Sequence, residues 1–326
     1  MNLTIVMYHY VRDFARSRYP GIKGLATDKF KEQLAYIKTF YHPVSAWDVM
    51  DAIEGKGKLP PRSILLTFDD GYIDHFTDVF PVLARENISA CFFPPAKCIL
   101  EDAVLDVNKI HFILAEIADK RALVNYIYQA LDEQRGPCDL ESNDTYWKRC
   151  GVASRFDPAE VTFVKSMLQR ELPEDLRKTI VDRLFRKYVS TDEKAFAREL
   201  YMSIDQLRLL QENNMYVGSH GYEHYWLDSV PEATQRREVD LSLEFLKLVG
   251  SDTRRWIMCF PWGAYNDSML SLLRERNCLA GLTTKVGIAE GQVTDIPMIL
   301  PRLDTNDLPR VSGAKPNEWT TKVLMQ

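Results

Sequence analysis

"SILLTFDDGY", residues 63–72, is the stretch from which the rest of the chain can be read. It follows the breaker Leu59-Pro60-Pro61-Arg62 and runs apolar from Ile64 to Phe68, interrupted only at Thr67. A run without polar alternation is what a strand buried on both faces of a parallel sheet requires. It ends in two adjacent carboxylates and a glycine. In parallel α/β folds the carboxyl ends of strands line the crevice where ligands bind. Neighbouring like charges in a half-dry pocket repel unless a cation neutralises at least one of them. The plainer alternative is that Asp69 and Asp70 cap the next helix and open a turn.

Outward from this stretch, strand and helix alternate over most of the chain. "LTIVMY" (3–8), a short run near 42–45, "SACFF" (89–93), "MYVG" (215–218), "RWIMCF" (255–260) and "LAGLT" (279–283) read as further strands. Helices are predicted after Thr27, from about residue 74 with a kink at Pro81, over 231–250, and over 267–276. Roughly seven strands alternating with helices predict an α/β fold, either a parallel TIM-like barrel or a doubly wound sheet. Residues 101–200 interrupt the pattern: they are charge-rich, helical in period and lack a β-run. They read as a helical insertion over the barrel mouth and not as an independent domain, which leaves 1–100 and 201–326 for the barrel.

Composition narrows the function. A net charge of −5 over 326 residues, with no cluster of Lys and Arg, offers no field for nucleic acid. The N-terminus "MNLTIVMYHYVRDF" reads as a first strand and not a secretion signal, and no stretch reaches the ~18 apolar residues of a membrane span. The six cysteines form no CxxC pair, so reduced thiols and a cytoplasmic location are expected.

A second stretch, "GSHGYEH" (218–224), places His220 and His224 four residues apart directly after an apolar strand. That spacing is common among metal ligands, although a hydrogen-bonded pair at a strand-to-helix junction would look the same. Both stretches occupy the same place in the repeat. Two such strand ends on one face of a barrel would gather Asp, His and His around one ion with an open position, the arrangement of a catalytic metal. A third stretch, "CFPWGAYND" (259–267), ends another strand in Pro261 and Trp262; the aromatic could stack on a sugar face or plug the barrel mouth.

"LLTFDDGY", "GSHGYEH" and "FPWGAYN", in this order, resemble the first three motifs of the polysaccharide deacetylase (NodB-homology) family, carbohydrate esterase family 4, and "MYHYV" resembles the opening of many members. The resemblance implies a distorted (β/α)7 barrel and hydrolysis of an N-acyl group, acetyl or formyl, from an amino sugar. The substrate would be a polysaccharide, an O-antigen-type glycan, or a nucleotide- or lipid-linked precursor. It implies Asp69 as general base and Asp70, His220 and His224 as ligands of one divalent ion, normally zinc. The backbone N–H of Tyr72 would stabilise the oxyanion. His9, Pro261, Trp262 and Tyr265 would face the sugar.

The chain departs from the family pattern twice. Cys259 stands where an arginine usually orients the catalytic aspartate, and no histidine follows His224 to serve as general acid. "ILPRLDTND" (299–307) offers Arg302, Asp304 and Asp307 instead, with Arg302 a substitute for the missing arginine. These departures raise the alternative of a carbohydrate-binding protein that has lost the reaction. A facial-triad iron oxygenase is disfavoured, because the His-x-Asp/Glu spacing and the strand alternation of a β-sandwich are absent.

Overall fold

The computed structural model describes residues 3–136, 139–154, 157–290 and 297–325. Among these, seven parallel strands form a ring: β1 Leu3–Tyr8, β2 Ser63–Asp69, β3 Cys91–Phe93, β4 Tyr216–Val217, β5 Trp256–Cys259, β6 Cys278–Leu282 and β7 Leu303–Asp304. β1 pairs with β2 from Leu3 opposite Ser63 to Tyr8 opposite Phe68, and with β7 through Val6 opposite Leu303. β3 joins the end of β2, and β4 joins β3. Single parallel bridges, Ser219 with Met258 and Leu282 with Leu300, carry the ring across the remaining gaps. This is the distorted (β/α)7 barrel the motifs implied.

One strand count needs correction. The run near 42–45 forms only the two-residue strand His42–Pro43, which pairs with the start of β2 and shares that edge with β3. The seventh place in the ring belongs to β7, two residues inside the segment "ILPRLDTND", where no β-rich run announces a strand.

Alternate residues of the strands enter two apolar layers. Leu3, Ile5, Leu65, Cys91, Phe93, Ile257, Cys259 and Leu282 cluster with the helix Ala46–Ile53. Val6, Tyr8, Leu66, Phe68, Phe92, Val217 and Met258 cluster with residues of helices Thr27–Phe40, Ile204–Glu212, Glu232–Val249 and Asp267–Glu275. The first layer is the filled barrel interior and the second packs strands against the outer helices. Thr67 and Asp69 share the parity of Leu65, so β2 delivers Asp69 to the interior side. The helix expected after β2 opens with a wide π-turn, His75–Val79, and becomes regular at Phe80–Arg85. Pro81 sits in the first turn of that regular stretch, where its missing N–H is tolerated.

Residues 104–196 form a separate compact unit together with residues 14–23. Its helices include Asp106–Glu116, Lys120–Gln134, Ala159–Ser166 and Glu174–Tyr188, with no strand among its described residues. Tyr19, Phe112, Phe185 and Phe196 make its aromatic centre, with Phe112 and Phe196 rings 4.8 Å apart. Lys109 is buried there against Asp182 (2.7 Å) and Glu193 (3.0 Å). Of residues 14–23 only Tyr19 and Ile22 are buried hydrophobics, too few for the sequence to signal that the stretch joins this unit.

Candidate active site

At the end of β2 the chain turns sharply. Asp70 has φ +71° and Gly71 φ +67°. A Cβ on Gly71 would lie 2.6 Å from Pro94 Cβ, so the turn needs glycine on both conformational and steric grounds. The turn sends the two carboxylates into different surroundings.

Asp69 is 1% exposed and fully engaged. Arg302, just before β7, donates from Nη1 to Oδ1 (2.9 Å) and from Nη2 to Oδ2 (2.8 Å). The guanidinium is itself fixed by Thr67 Oγ1 and the Thr283 carbonyl. The Cys259 thiol donates to Asp69 Oδ1 at 3.4 Å, and His9 Nε2 lies 3.9 Å from Oδ2. Burial alone would raise this carboxyl, but Arg302, His220 and His9 outweigh it and hold it at about 2. Asp69 is therefore an anion at neutral pH, and Arg302 approaches it in the bidentate geometry that fixes a carboxylate's orientation.

Asp70 is 4% exposed and only half engaged. Tyr72 Oη donates to Oδ2 at 2.5 Å. Among the described residues Oδ1 has no hydrogen-bond partner, and His220 Nε2 and His224 Nε2 each stand 3.5 Å from it. The three potential ligand atoms lie within 4.8 Å of one another. His220 Nδ1 donates to the Cys259 carbonyl (2.7 Å), which aims Nε2 at Asp70. Burial first and His220 second hold His224 down to about 3, a neutral imidazole, whereas at His220 burial is outweighed by the contacts with Cys259 and Asp70, which push the ring up.

A buried carboxylate oxygen without a donor is costly unless a cation meets it, and one carboxylate plus two imidazoles is a donor set that suits such a cation. The residues fit a divalent ion. A second grouping, Asp69, His220 and Cys259, is less suited. Both oxygens of Asp69 are taken by Arg302, and burial raises the Cys259 thiol, which keeps it protonated.

Around this centre the structure distributes the other candidates unevenly. His9 lies at the end of β1 with its side chain 42% exposed. Trp262 stacks on Trp226 (4.8 Å, 6°) and sets its edge toward His224 (5.4 Å). Trp262 holds φ +62°, rare for a bulky residue, and its carbonyl accepts from Thr284 Oγ1. Pro261 opens that turn, and its Cγ lies 3.6 Å from where a Cβ on Gly221 would sit. Tyr265 turns elsewhere and packs by Phe260 (5.2 Å) against the outer apolar layer.

Asp304 differs from the sequence reading. Its Oδ1 accepts from Asn306 N–H, so it caps the turn Thr305–Asp307, and Asp307 reciprocates on its backbone N–H. Alternation alone would send both residues to one side of the sheet; Asp304 departs because it is the last residue of β7 and the cap of the turn that follows, which takes up its carboxylate. Three contributions escaped the sequence altogether. They are the Tyr72 hydroxyl on Asp70, the Cys259 carbonyl on His220, and Glu238, whose carboxylate meets the backbone between the two histidines.

Residues 56–111 and 187–279 match the family model described as polysaccharide deacetylase. Those two segments are homologous to the polysaccharide deacetylases. Over 90 residues it is 36% identical to the poly-beta-1,6-N-acetyl-D-glucosamine N-deacetylase of Escherichia coli (strain K12), a match spanning 27% of this chain and 13% of that enzyme. Two solved structures share the fold. The Streptococcus pyogenes deacetylase PplD, solved with acetate, aligns at TM-score 0.57 and 16% identity over 100% of this chain and 97% of its own. IcaB from Ammonifex degensii aligns at TM-score 0.56 and 17% identity over 99% and 96%. Among the described residues, no helix of this chain is long and apolar enough to cross a membrane.

Proposed function

We propose that this chain is a metal-dependent hydrolase that removes an N-acyl group, acetyl or formyl, from an amino-sugar glycan. The observation that carries the reading is the orphaned Asp70 Oδ1 facing two imidazoles beside a separately ionised Asp69. Asp70, His220 and His224 would hold the ion, and zinc suits this donor set best. A divalent ion held there supplies Lewis acidity, lowering the pKa of water and polarising a carbonyl.

The protein's own groups then have distinct tasks. Asp69, ionised and held in orientation by Arg302, accepts the proton of the attacking water. The Tyr72 backbone N–H is the expected donor to the oxyanion. The leaving nitrogen needs a proton, and His9 is the candidate donor: it is accessible and reaches within 3.9 Å of Asp69. His75 is not, being fully buried with Nε2 on the His9 carbonyl (2.8 Å). Water adds to the amide, the C–N bond breaks, and a free amine and a short carboxylic acid leave. The Trp226–Trp262 pair offers an aromatic face for a pyranose ring.

The alternative of a binding protein rested on the missing motif arginine and the missing histidine; Arg302, just before β7, supplies a guanidinium to Asp69, and His9 is the candidate in the histidine's stead. The name of the Escherichia coli relative makes short β-1,6-linked N-acetylglucosamine oligomers the first substrates to try. Acetate release from them by zinc-loaded protein is expected, with loss on chelation. Asp69→Asn should lower turnover by about 10²–10⁴-fold while zinc stays bound. Zinc-loaded protein that frees neither acetate nor formate from any amino sugar would overturn the reading.

A further inference from the structure

The three residues between the paired imidazoles, Gly221, Tyr222 and Glu223, lie in a turn whose backbone is clamped on every side. Gly221 N–H donates to Ser219 Oγ (3.2 Å), its carbonyl accepts from Ala96 N–H (3.2 Å), and the Tyr222 carbonyl accepts from Lys97 N–H (3.1 Å). The two remaining N–H groups point the same way. Tyr222 and Glu223 both donate to Glu238 Oε2 at 2.9 Å, and Glu223 also reaches Oε1 at 3.2 Å. Successive N–H groups converging on one oxygen make a concavity that suits an acceptor, and here the Glu238 carboxyl fills it.

Glu238 is 2% exposed and sits on the helix Glu232–Val249. A buried carboxylate is a poor choice for packing alone, since its desolvation must be offset by strong, directed bonds. The turn it holds is also one the chain would not adopt unaided. Gly221 has φ +73°, and His224, which is no glycine, has φ +62°, a conformation that persists only where the surroundings impose it. That conformation is the one in which His220 and His224 both direct Nε2 at Asp70 Oδ1.

We infer that Glu238 is a positioning residue: its carboxylate sets the curvature of the 221–223 turn and so makes the two imidazoles converge on Asp70. The inference rests on the metal-site reading above and adds to it a residue that touches neither ion nor substrate. It also specifies what the position requires, namely an acceptor oxygen at the place of Oε2. Gln at 238 keeps two of the three bonds. Asp keeps the carboxyl group but withdraws it by one methylene.

The test is Zn²⁺ titration of metal-free wild type, E238A, E238Q and E238D, with Co²⁺ absorption as a report on coordination and thermal unfolding as a check on folding. E238A is expected to bind Zn²⁺ about 10–100-fold more weakly, the range for partners that orient metal ligands, with an altered Co²⁺ spectrum. E238Q should recover most of the affinity and E238D less. Wild-type affinity and spectrum in E238A would overturn the inference. If E238A does not fold, the order of the other two decides: E238D binding as tightly as wild type while E238Q fails would mean that charge, and not placement of the acceptor, is what matters. Wild type that takes up no Zn²⁺ would instead bring down the metal-site reading itself.

Discussion

Asp69 and Asp70 are neighbours in sequence, equally hidden from solvent, and opposite in their surroundings. Both oxygens of Asp69 are held by one guanidinium, whereas Asp70 has one oxygen held by a phenol and one facing two imidazoles. The first carboxylate is complete within the protein; the second has an oxygen that the protein leaves for something else. The contrast teaches how a single strand end can supply two roles. A positive-φ turn at Asp70 separates the side chains, and the partners arriving from beside β7 and from the 218–224 loop give one carboxylate the surroundings proposed for a base and the other those proposed for a ligand.

The largest expected effect comes from breaking the complete side. Arg302→Met leaves Asp69 buried without its counter-ion and should destabilise the metal-free protein by about 3–5 kcal/mol in denaturant titrations. The pH slope should change as well. In the wild type the Asp69 carboxyl lies at about 2 against an ordinary 3.8, a depressed value. Its contribution, about 2 kcal/mol, is therefore present above pH 4 and lost as pH falls through 2. In the variant, burial becomes the dominant influence and raises the carboxyl, so stability should instead fall as pH rises. Unfolding midpoints at pH 3, 5 and 7 would show the reversal, and a parallel slope in both proteins would contradict it.

A smaller effect is expected on the incomplete side. Tyr72→Phe removes the donor that turns Asp70 Oδ2 away from the imidazoles, and should weaken Zn²⁺ binding about 10-fold or more while changing stability far less than Arg302→Met. Equal Zn²⁺ affinity in the two proteins would show that the phenol does not orient the carboxylate. Smallest of all, Asp304→Ala should lose a cap, about 1 kcal/mol of stability, with turnover unchanged. A large drop in turnover at wild-type stability would return Asp304 to the chemistry.

What the sequence revealed of this contrast follows from how local each signal is. The apolar run of β2, the two aspartates at its end and the His-x3-His after β4 are each contained in a few residues, and each stands where it was read. β7 is two residues long and is a strand only because β1 lies beside it, so no periodicity could announce it. Arg302 was a reasonable substitute for the missing arginine, but nothing local distinguished it from Asp304, two residues further on. Glu238 reads as one of several acids on an amphipathic helix; only the packing of that helix against the 221–223 turn separates it from its solvated neighbours. The attachment of residues 14–23 to the helical unit is non-local in the same way.

Arg302 carries one further consequence. It lies 233 residues along the chain from Asp69 and reaches it only because the ring of strands has closed. Until that closure, the aspartate is an ordinary acid, and nothing compels it to stay ionised once buried. A barrel that pairs β1 with β2 but misplaces β7 would bury the carboxylate without its partner, an arrangement several kcal/mol worse than the native one. The ion pair thus rewards a single order of strands among the ways the sheet could have been assembled. The group proposed to take the proton in the reaction also tells a correctly closed barrel from a near miss.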